Sequence, residues 1–422
     1  MKNGNKTKGQ KIFMYKHNTQ CRICKSENLT RFLDLGKQPL ANSFLKNKEQ
    51  FANEPKYPLE VYFCNSCSLA QLLDVVDKEE MFADYIYFTS GMPKISNHFK
   101  AYAEDVMKRF LKPNDLVVEI ASNDGILLKF FQDAGFRALG VDPAANVVKN
   151  ADKLGVRTIV DFFSEKLGKE ISQKEGKAKA ILANNVVAHI DDHHDLAKGV
   201  AALLAEDGVF VLEAPYLVDM FENLTYDTIY HEHLSFLSVR PLQKLFEQFG
   251  LEIFDVEVNA VQGRSLRVFT GYKGKHPISA NVGKYVDLEL SMGLNQLKGY
   301  SQLAERVAAQ KEQLVKLVSD FKKEGKKIAA YGAPAKGNTM LNYCNISNDI
   351  LDYALEDLPA KQGLFTPGMH IPTVDAVYAH SHEPDYYLML AWNYEKPILE
   401  KEQAFLKKGG KFIVPVEGIR IV

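Results

Sequence analysis

Three clusters in this chain hold residue types that do chemistry. The first is a pair of CxxC knuckles, Cys21-Arg-Ile-Cys24 and Cys64-Asn-Ser-Cys67. A CxxC turn aims two thiolates at one point, and two such turns complete a tetrahedral sulfur shell suited to zinc. With cysteine in all four positions no coordination site stays open, so the metal reads as structural. Four unligated core cysteines are the alternative, and no βαβ pattern surrounds either pair to favour a redox role. Cys344 reads as a buried small hydrophobe. The second cluster is Tyr230-His231-Glu232-His233. Two histidines, a carboxylate and a phenol are a costly set to bury for structure alone, and they suit removal of a proton from a carbon acid and stabilisation of the oxyanion. In an extended segment Tyr230 and Glu232 would face away from His231 and His233, so only a turn brings Tyr230, Glu232 and His233 together, with His231 left to solvent. The third is Tyr331-Gly332-Ala-Pro-Ala-Lys336-Gly337-Asn338. A small-residue loop before a helix starting at Thr339 is a ready anion site, and Lys336 adds charge. It is not a Walker motif, and an unliganded strand-to-helix turn is its alternative.

Elements that could position these clusters are legible around them. At 422 residues the chain exceeds one ordinary core, so two or three domains are expected. Leu59-Glu-Val-Tyr-Phe63 reads as a strand entering the second knuckle. Leu116-Val-Val-Glu-Ile120 is a buried parallel strand, followed by the loop Ala121-Ser122-Asn123-Asp124-Gly125, an amphipathic helix over 126–134, and a strand ending at Asp142. An acid about 20 residues past such a loop is where a ribose hydroxyl finds its partner. The loop has one glycine where a dinucleotide fingerprint wants three, so an adenosyl group without phosphates fits better. Strands ending at Asn184 and Glu213 follow, putting Glu119, Asp142, Asn184 and Glu213 at C-terminal strand ends, where ligands sit, with His189 just beyond. A helical stretch from 284 to 323, broken at Gly293 and Gly299, leads to a second β-loop-α-β unit with strands over 327–331 and 350–355. His193 and His194, in an acidic run, read as a solvated helix start, and His380 and His382 as a weak metal pair.

The bulk numbers exclude several classes. With 52 basic and 53 acidic residues the formal net charge is -1, which gives no electrostatic case for nucleic-acid binding. No apolar run approaches the ~20 residues of a membrane helix, and the polar, Lys-rich N-terminus lacks a signal sequence. A cytoplasmic protein with no membrane contact is expected. No internal repeat or heptad suggests assembly, so monomer is the default.

Several stretches together resemble the nucleotide-sugar C-methyltransferases that act on 4-keto-deoxyhexoses. They are the paired knuckles, Glu119 to Gly125, Asn185-Val-Val-Ala-His189, the run from Tyr226 to His233, Ser265-Leu-Arg-Val268, and Tyr331 to Asn338. The resemblance spans nearly the whole chain. It implies an α/β chain of three domains after a flexible tail (1–20): a zinc-binding domain (21–85), a Rossmann-like S-adenosylmethionine domain (86–275), and a C-terminal Rossmann-like α/β domain for the nucleotide sugar (276–422). Glu119, Ala121, Ser122, Asn123, Gly125, Asp142 and Asn184 would hold S-adenosylmethionine. Tyr331, Gly332, Lys336, Gly337 and Asn338 would hold the nucleotide diphosphate of a keto-sugar substrate. Methyl transfer at C-3 would start with deprotonation by His233, with Tyr230, Glu232 and His189 binding the keto sugar and its enolate. Tyr85 or Tyr87 would reach in from the N-terminal side. The family usually has glycine where this chain has Ala121, and His-Gly-Gly where it has Gln262-Gly263-Arg264. Alternatives are a methyltransferase with a non-sugar acceptor, a non-catalytic nucleotide-sugar-binding protein, and a dehydrogenase that the loop glycines do not favour.

Overall fold

The structure, a computed structural model, describes residues 15–77, 81, 93–259 and 264–422. The first unit is built on β1 (Tyr15–His17), β2 (Leu29–Gln38), β3 (Tyr57–Cys64), β4 (Ala70–Leu72) and β5 (Asp74–Val76). Along β3 fully buried residues alternate with half-buried ones, so Tyr57, Leu59, Val61 and Phe63 share the inward face. β2, β3 and β4 form an antiparallel sheet completed from far along the chain by β11 (Ser235–Phe236), which pairs with β4.

The middle unit is a seven-stranded sheet of β6 (Leu116–Ile120), β7 (Arg137–Val141), β8 (Thr158–Ile159), β9 (Ala178–Asn184), β10 (Leu204–Pro215), β12 (Leu251–Asn259) and β13 (Ser265–Tyr272), in the order β12-β13-β10-β9-β6-β7-β8. β13 runs antiparallel between β10 and β12, and the other neighbours are parallel. Helices cover both faces, which is why these strands are continuous apolar runs. Along β10, Val209 and Val211 pack toward Tyr102, Val106 and Phe131, while Phe210 and Leu212 pack toward Leu167, Leu196 and Leu245. The strand order reverses between β6 and β9, and a crevice opens there at the strands' C-terminal ends.

The third unit is a six-stranded sheet of β14 (Ile328–Tyr331), β15 (Ala354–Leu355), β16 (Thr373–Val374), β17 (Tyr386–Met389), β18 (Lys411–Val414) and β19 (Arg420–Ile421), ordered β16-β15-β14-β17-β18-β19. It is parallel except for β19. The expected three-part α/β architecture is therefore present. Among the described residues no helix is long and apolar enough to cross a membrane.

Three local expectations differ from the structure. The strand expected over 350–355 pairs only at Ala354–Leu355. The helix after the small-residue loop starts at Ala335, not Thr339, which places Lys336 in its first turn. The long helical stretch is two helices, Ala280–Ser291 and Leu297–Lys323, and Gly299 lies inside the second. Gly299 is small for packing: a Cβ there would sit 2.7 Å from the Gly293 carbonyl oxygen.

The helix Ala280–Ser291 is bolted to the middle unit by Glu289, which is fully buried. Its carboxylate accepts hydrogen bonds from the Tyr216 hydroxyl (2.9 Å) and from the backbone N–H groups of Val239 (2.6 Å) and Arg240 (3.3 Å). Truncation would leave three buried donors without an acceptor. Glu289→Ala is expected to destabilise the protein by about 2–4 kcal/mol, measured as a shift of the denaturant midpoint. A midpoint within error of wild type would rule this anchor out.

Candidate active site

The four cysteines converge. Cys21 and Cys67 have their sulfurs 3.5 Å apart, Cys24 and Cys64 3.4 Å apart, and all four sulfurs lie within 4.8 Å of one another. Zinc with metal–sulfur bonds of ~2.3 Å spaces tetrahedral sulfurs by roughly 3.8 Å, so the set fits a closed, structural zinc site. Among the described residues no other group of three or more such ligands gathers. The knuckle also reaches the middle unit. Arg22, its side chain 1% exposed, donates to Asp191 (3.0 Å), to the Leu72 carbonyl and to Gln71 (3.3 Å). The His194 ring donates to the Ile23 carbonyl at 2.6 Å. The expected solvated helix start is thus an interface: His193 is fully buried and His194 tethers the knuckle.

The crevice at the switch point is a cavity of about 840 Å³. Glu119, Ala121, Ser122, Asn123, Asp142 and Asn184 all line it. Gly125 does not; at φ 78° it closes the turn, its N–H donating to the Ser122 carbonyl. Ala121 and Asn123 take positive φ values of 56° and 50°, so a glycine at 121 would relieve strain that alanine tolerates. Asp142 accepts from the N–H groups of Asn123 and Ala144, each at 2.9 Å. Those bonds fix its carboxylate and leave lone pairs for a diol. Glu119 accepts from the Asn184 side chain at 3.2 Å. Its second oxygen, and the side-chain oxygens of Asn184 and Asn185, are buried without a hydrogen-bond partner. Burial pushes Glu119 well above the usual carboxylate range. A row of unmet acceptors at strand ends matches the hydroxyls and ammonium of S-adenosylmethionine, so these residues fit it; when bound it supplies an electrophilic methyl on a sulfonium.

On another wall of the cavity the run Tyr230 to His233 is a turn, with the His233 N–H donating to the Tyr230 carbonyl at 2.8 Å. The His233 Nδ1 stands 2.7 Å from the Thr228 carbonyl oxygen. A carbonyl only accepts, so Nδ1 carries the proton and Nε2 is left with its lone pair. The Tyr230 ring centroid is 4.0 Å from that of His233, and the His189 ring is 4.9 Å from it. His189, Tyr230 and His233 all line the cavity, and Lys336 joins them from the third unit. Burial first, then the charge of His189, holds His233 well below the usual imidazole range, and burial takes His189 down to about 4.

The turn does not bring Glu232 to the cavity. Glu232 accepts from Asn42 of the first unit at 2.7 Å, and burial pushes its carboxyl up to about 7, with Lys361 of the third unit opposing. His231 is buried rather than solvated, its Nε2 placed against the Tyr57 and Pro58 carbonyls of β3 at 3.3 and 3.2 Å. Of the small-residue loop only Lys336 lines the cavity. The Tyr331 hydroxyl donates to Glu402 inside the third unit, the Asn338 amide to the Ala41 carbonyl, and Gly332 and Gly337 pack against Ala391 and Leu390. Tyr85 and Tyr87 lie outside the described residues. His98 lines the cavity without having carried a sequence signal; its Nε2 sits 2.7 Å from the buried Glu213, itself held by Arg267 at 2.7 Å and Asn259 at 2.9 Å.

Two outcomes follow from this geometry. His189 and His231, each pushed down to about 4, and His233 should stay neutral as pH falls from about 8 to 5.5, protonating only below the ordinary imidazole value of about 6.5. Histidine Cε1–H chemical shifts, assigned by single substitutions, report this; titration of His233 near pH 6.5 would contradict it. Stripping the metal with a chelator should free Arg22 together with Cys21 and lower the melting temperature by about 5 °C or more, read by calorimetry. An unchanged melt would mean the knuckle does not support the middle unit.

Comparison with known proteins divides the chain in the same sense. Residues 21–82 match a family described as "Putative zinc binding domain", residues 95–256 one described as "Methyltransferase domain", and residues 260–417 one described as "C-methyltransferase C-terminal domain". The C-methyltransferase NovU of Streptomyces niveus is 37% identical over 409 residues, covering 96% of each chain. Among solved structures, magnesium protoporphyrin IX methyltransferase of Synechocystis with bound SAM aligns at 12% identity and a TM-score of 0.33, over 44% of this chain and 84% of that one. The ribosomal protein L11 methylase of Lactobacillus delbrueckii aligns at 13% and 0.30, over 42% and 78%. With a closed four-cysteine zinc site, a strand-end cavity suited to S-adenosylmethionine and a full-length relative of this kind, the chain belongs to the S-adenosylmethionine-dependent C-methyltransferases.

Proposed function

We propose that the acceptor is a nucleotide-diphosphate-linked 4-keto-deoxyhexose and that the methyl group goes to C-3, in the making of a branched deoxysugar. One observation carries this reading: a buried histidine whose tautomer is set by the Thr228 carbonyl, leaving an unprotonated Nε2, beside a phenol in a cavity shared with Asp142 and Glu119. A carbon beside a ketone is acidic enough for such a base once the oxyanion is stabilised, whereas an alcohol or amine acceptor needs no enolate. His233 takes the C-3 proton. The C–H electron pair becomes the C3=C4 bond of the enolate, and the former carbonyl oxygen takes the negative charge. Tyr230 and His189 line the space the sugar ring would fill and orient it. Enclosure in the cavity excludes water, which strengthens each of these contacts.

From the third unit Lys336 lines the cavity, and the resemblance puts the nucleotide against that unit. Glu232, away from the cavity, serves this reading as a brace that joins the three units behind the turn.

The test is His233→Asn. Asparagine keeps a hydrogen-bonding side chain of similar reach but is no base. Methyl transfer and S-adenosylmethionine-independent deuterium exchange at the sugar C-3 should both fall by about 10²–10⁴-fold, with cofactor affinity unchanged. If exchange persists at the wild-type rate, His233 is not the base. If no 4-keto sugar nucleotide is methylated by the wild-type protein, the acceptor belongs to another class.

A further inference from the structure

Lys336 came from the sequence as part of an anion-binding loop, yet its side chain is the one member of that loop that lines the catalytic cavity. It lies along the wall with Tyr230 and His233, and along a second, small cavity of about 30 Å³ that His233 also borders. Its placement is held by three elements. Its Nζ stands 4.8 Å from the centre of the Trp392 ring. The Trp392 indole donates at 2.6 Å to Asp227, which is fully buried on the 3₁₀ turn just before the catalytic run. Burial, the largest influence, pulls Lys336 below the usual lysine range, and Asp227, then Asp219, act against it to retain the ammonium. The charge is close enough to His233 to help hold that imidazole neutral. A cation so near the base disfavours a protonated histidine before substrate arrives, and becomes favourable once a negative oxygen forms beside it.

We propose that Lys336 is a catalytic residue: its ammonium stabilises the enolate oxygen at C-4 of the sugar, and does not bind the diphosphate. This rests on the keto-sugar reading above. C-3 and C-4 are bonded neighbours, so the group that stabilises the C-4 oxygen must stand beside the base that works at C-3. Lys336 and His233 share both cavities. In the step, the C-3–H bond breaks, its proton passes to His233 Nε2, the electron pair becomes the C3=C4 bond, and the carbonyl π pair moves to the oxygen facing Lys336. No proton leaves the lysine, so the charge is conserved. The remainder of the small-residue loop is engaged elsewhere, Asn338 with the Ala41 carbonyl and Gly337 against Leu390, and offers the cavity no second phosphate-binding side chain.

The experiment measures deuterium uptake at C-3 of a 4-keto-6-deoxy sugar nucleotide without S-adenosylmethionine, for wild type, Lys336→Met and Lys336→Arg. Calorimetric titration with the nucleoside diphosphate alone, and a thermal melt, accompany it. Lys336→Met is expected to lose about 10²–10³-fold in exchange rate at saturating sugar, with nucleoside diphosphate affinity within threefold of wild type. Lys336→Arg should keep a larger share of the exchange rate, because the charge remains. Exchange at the wild-type rate in Lys336→Met, or a more than tenfold loss of nucleoside diphosphate affinity with exchange retained at saturation, overturns the assignment while the keto-sugar reading stands. No exchange by the wild-type protein with any sugar in the panel overturns both. If Lys336→Met does not fold, Lys336→Arg decides: diphosphate affinity reduced with exchange intact would overturn the assignment.

Discussion

The hydrogen bond from His233 Nδ1 to the Thr228 carbonyl governs the site. It fixes which imidazole nitrogen is basic, and it exists only because the chain turns sharply between Thr228 and His233. A neutral, buried imidazole is cheaper than a charged one in low dielectric, so the enclosure that desolvates the ring also keeps it neutral. The rest of the architecture keeps this turn in shape. β3 backs it through His231, Asn42 grips Glu232, Trp392 holds Asp227, and β11 continues directly into the sheet of the first unit. All three units therefore converge on half a dozen residues, and the polar groups of the run that do not face the cavity are spent on the neighbouring units.

The middle unit follows the logic of open parallel sheets. Its acids and amides sit at strand ends because the backbone leaves the sheet there and side chains can face a crevice. Asp142 is shaped by two backbone N–H donors, and Glu119 by one amide and by burial. These settings differ for a physical reason. A group satisfied by two donors is held in one orientation, while the unmet oxygen of Glu119 in low dielectric is a strong local preference for a cation or donor.

The four cysteines, the strand-end acids and the fold class were legible because each rests on short-range chemistry: knuckle spacing, a strand's apolar run, a loop before a helix. Lys336 was legible as a charged residue in a special loop but not as a cavity residue, because its direction depends on a helix that starts four residues earlier than its sequence suggests. Glu232, His231 and His193 were misplaced or unplaced for one reason. Each points into a junction between units far apart in sequence, and hydrophobic periodicity says nothing about which unit lies behind a turn. His98 shows the limit most plainly. It lies on the exposed-looking start of a helix, and only the folded sheet reveals Glu213 beneath it.

The pairing of β4 with β11 bears on how the molecule comes to exist. β4 is made early and its partner late, and until Ser235–Phe236 arrive the first sheet presents an open hydrogen-bonding edge. That edge is a template for any extended segment, including the same strand of another copy. The strand that closes it follows closely on His233, so sealing the sheet and setting the His233 turn are one long-range event, of the kind that folds slowly. A protein caught before that step would be sticky and would lack the folded His233 turn, so solubility and a complete cavity wall should appear together during its folding.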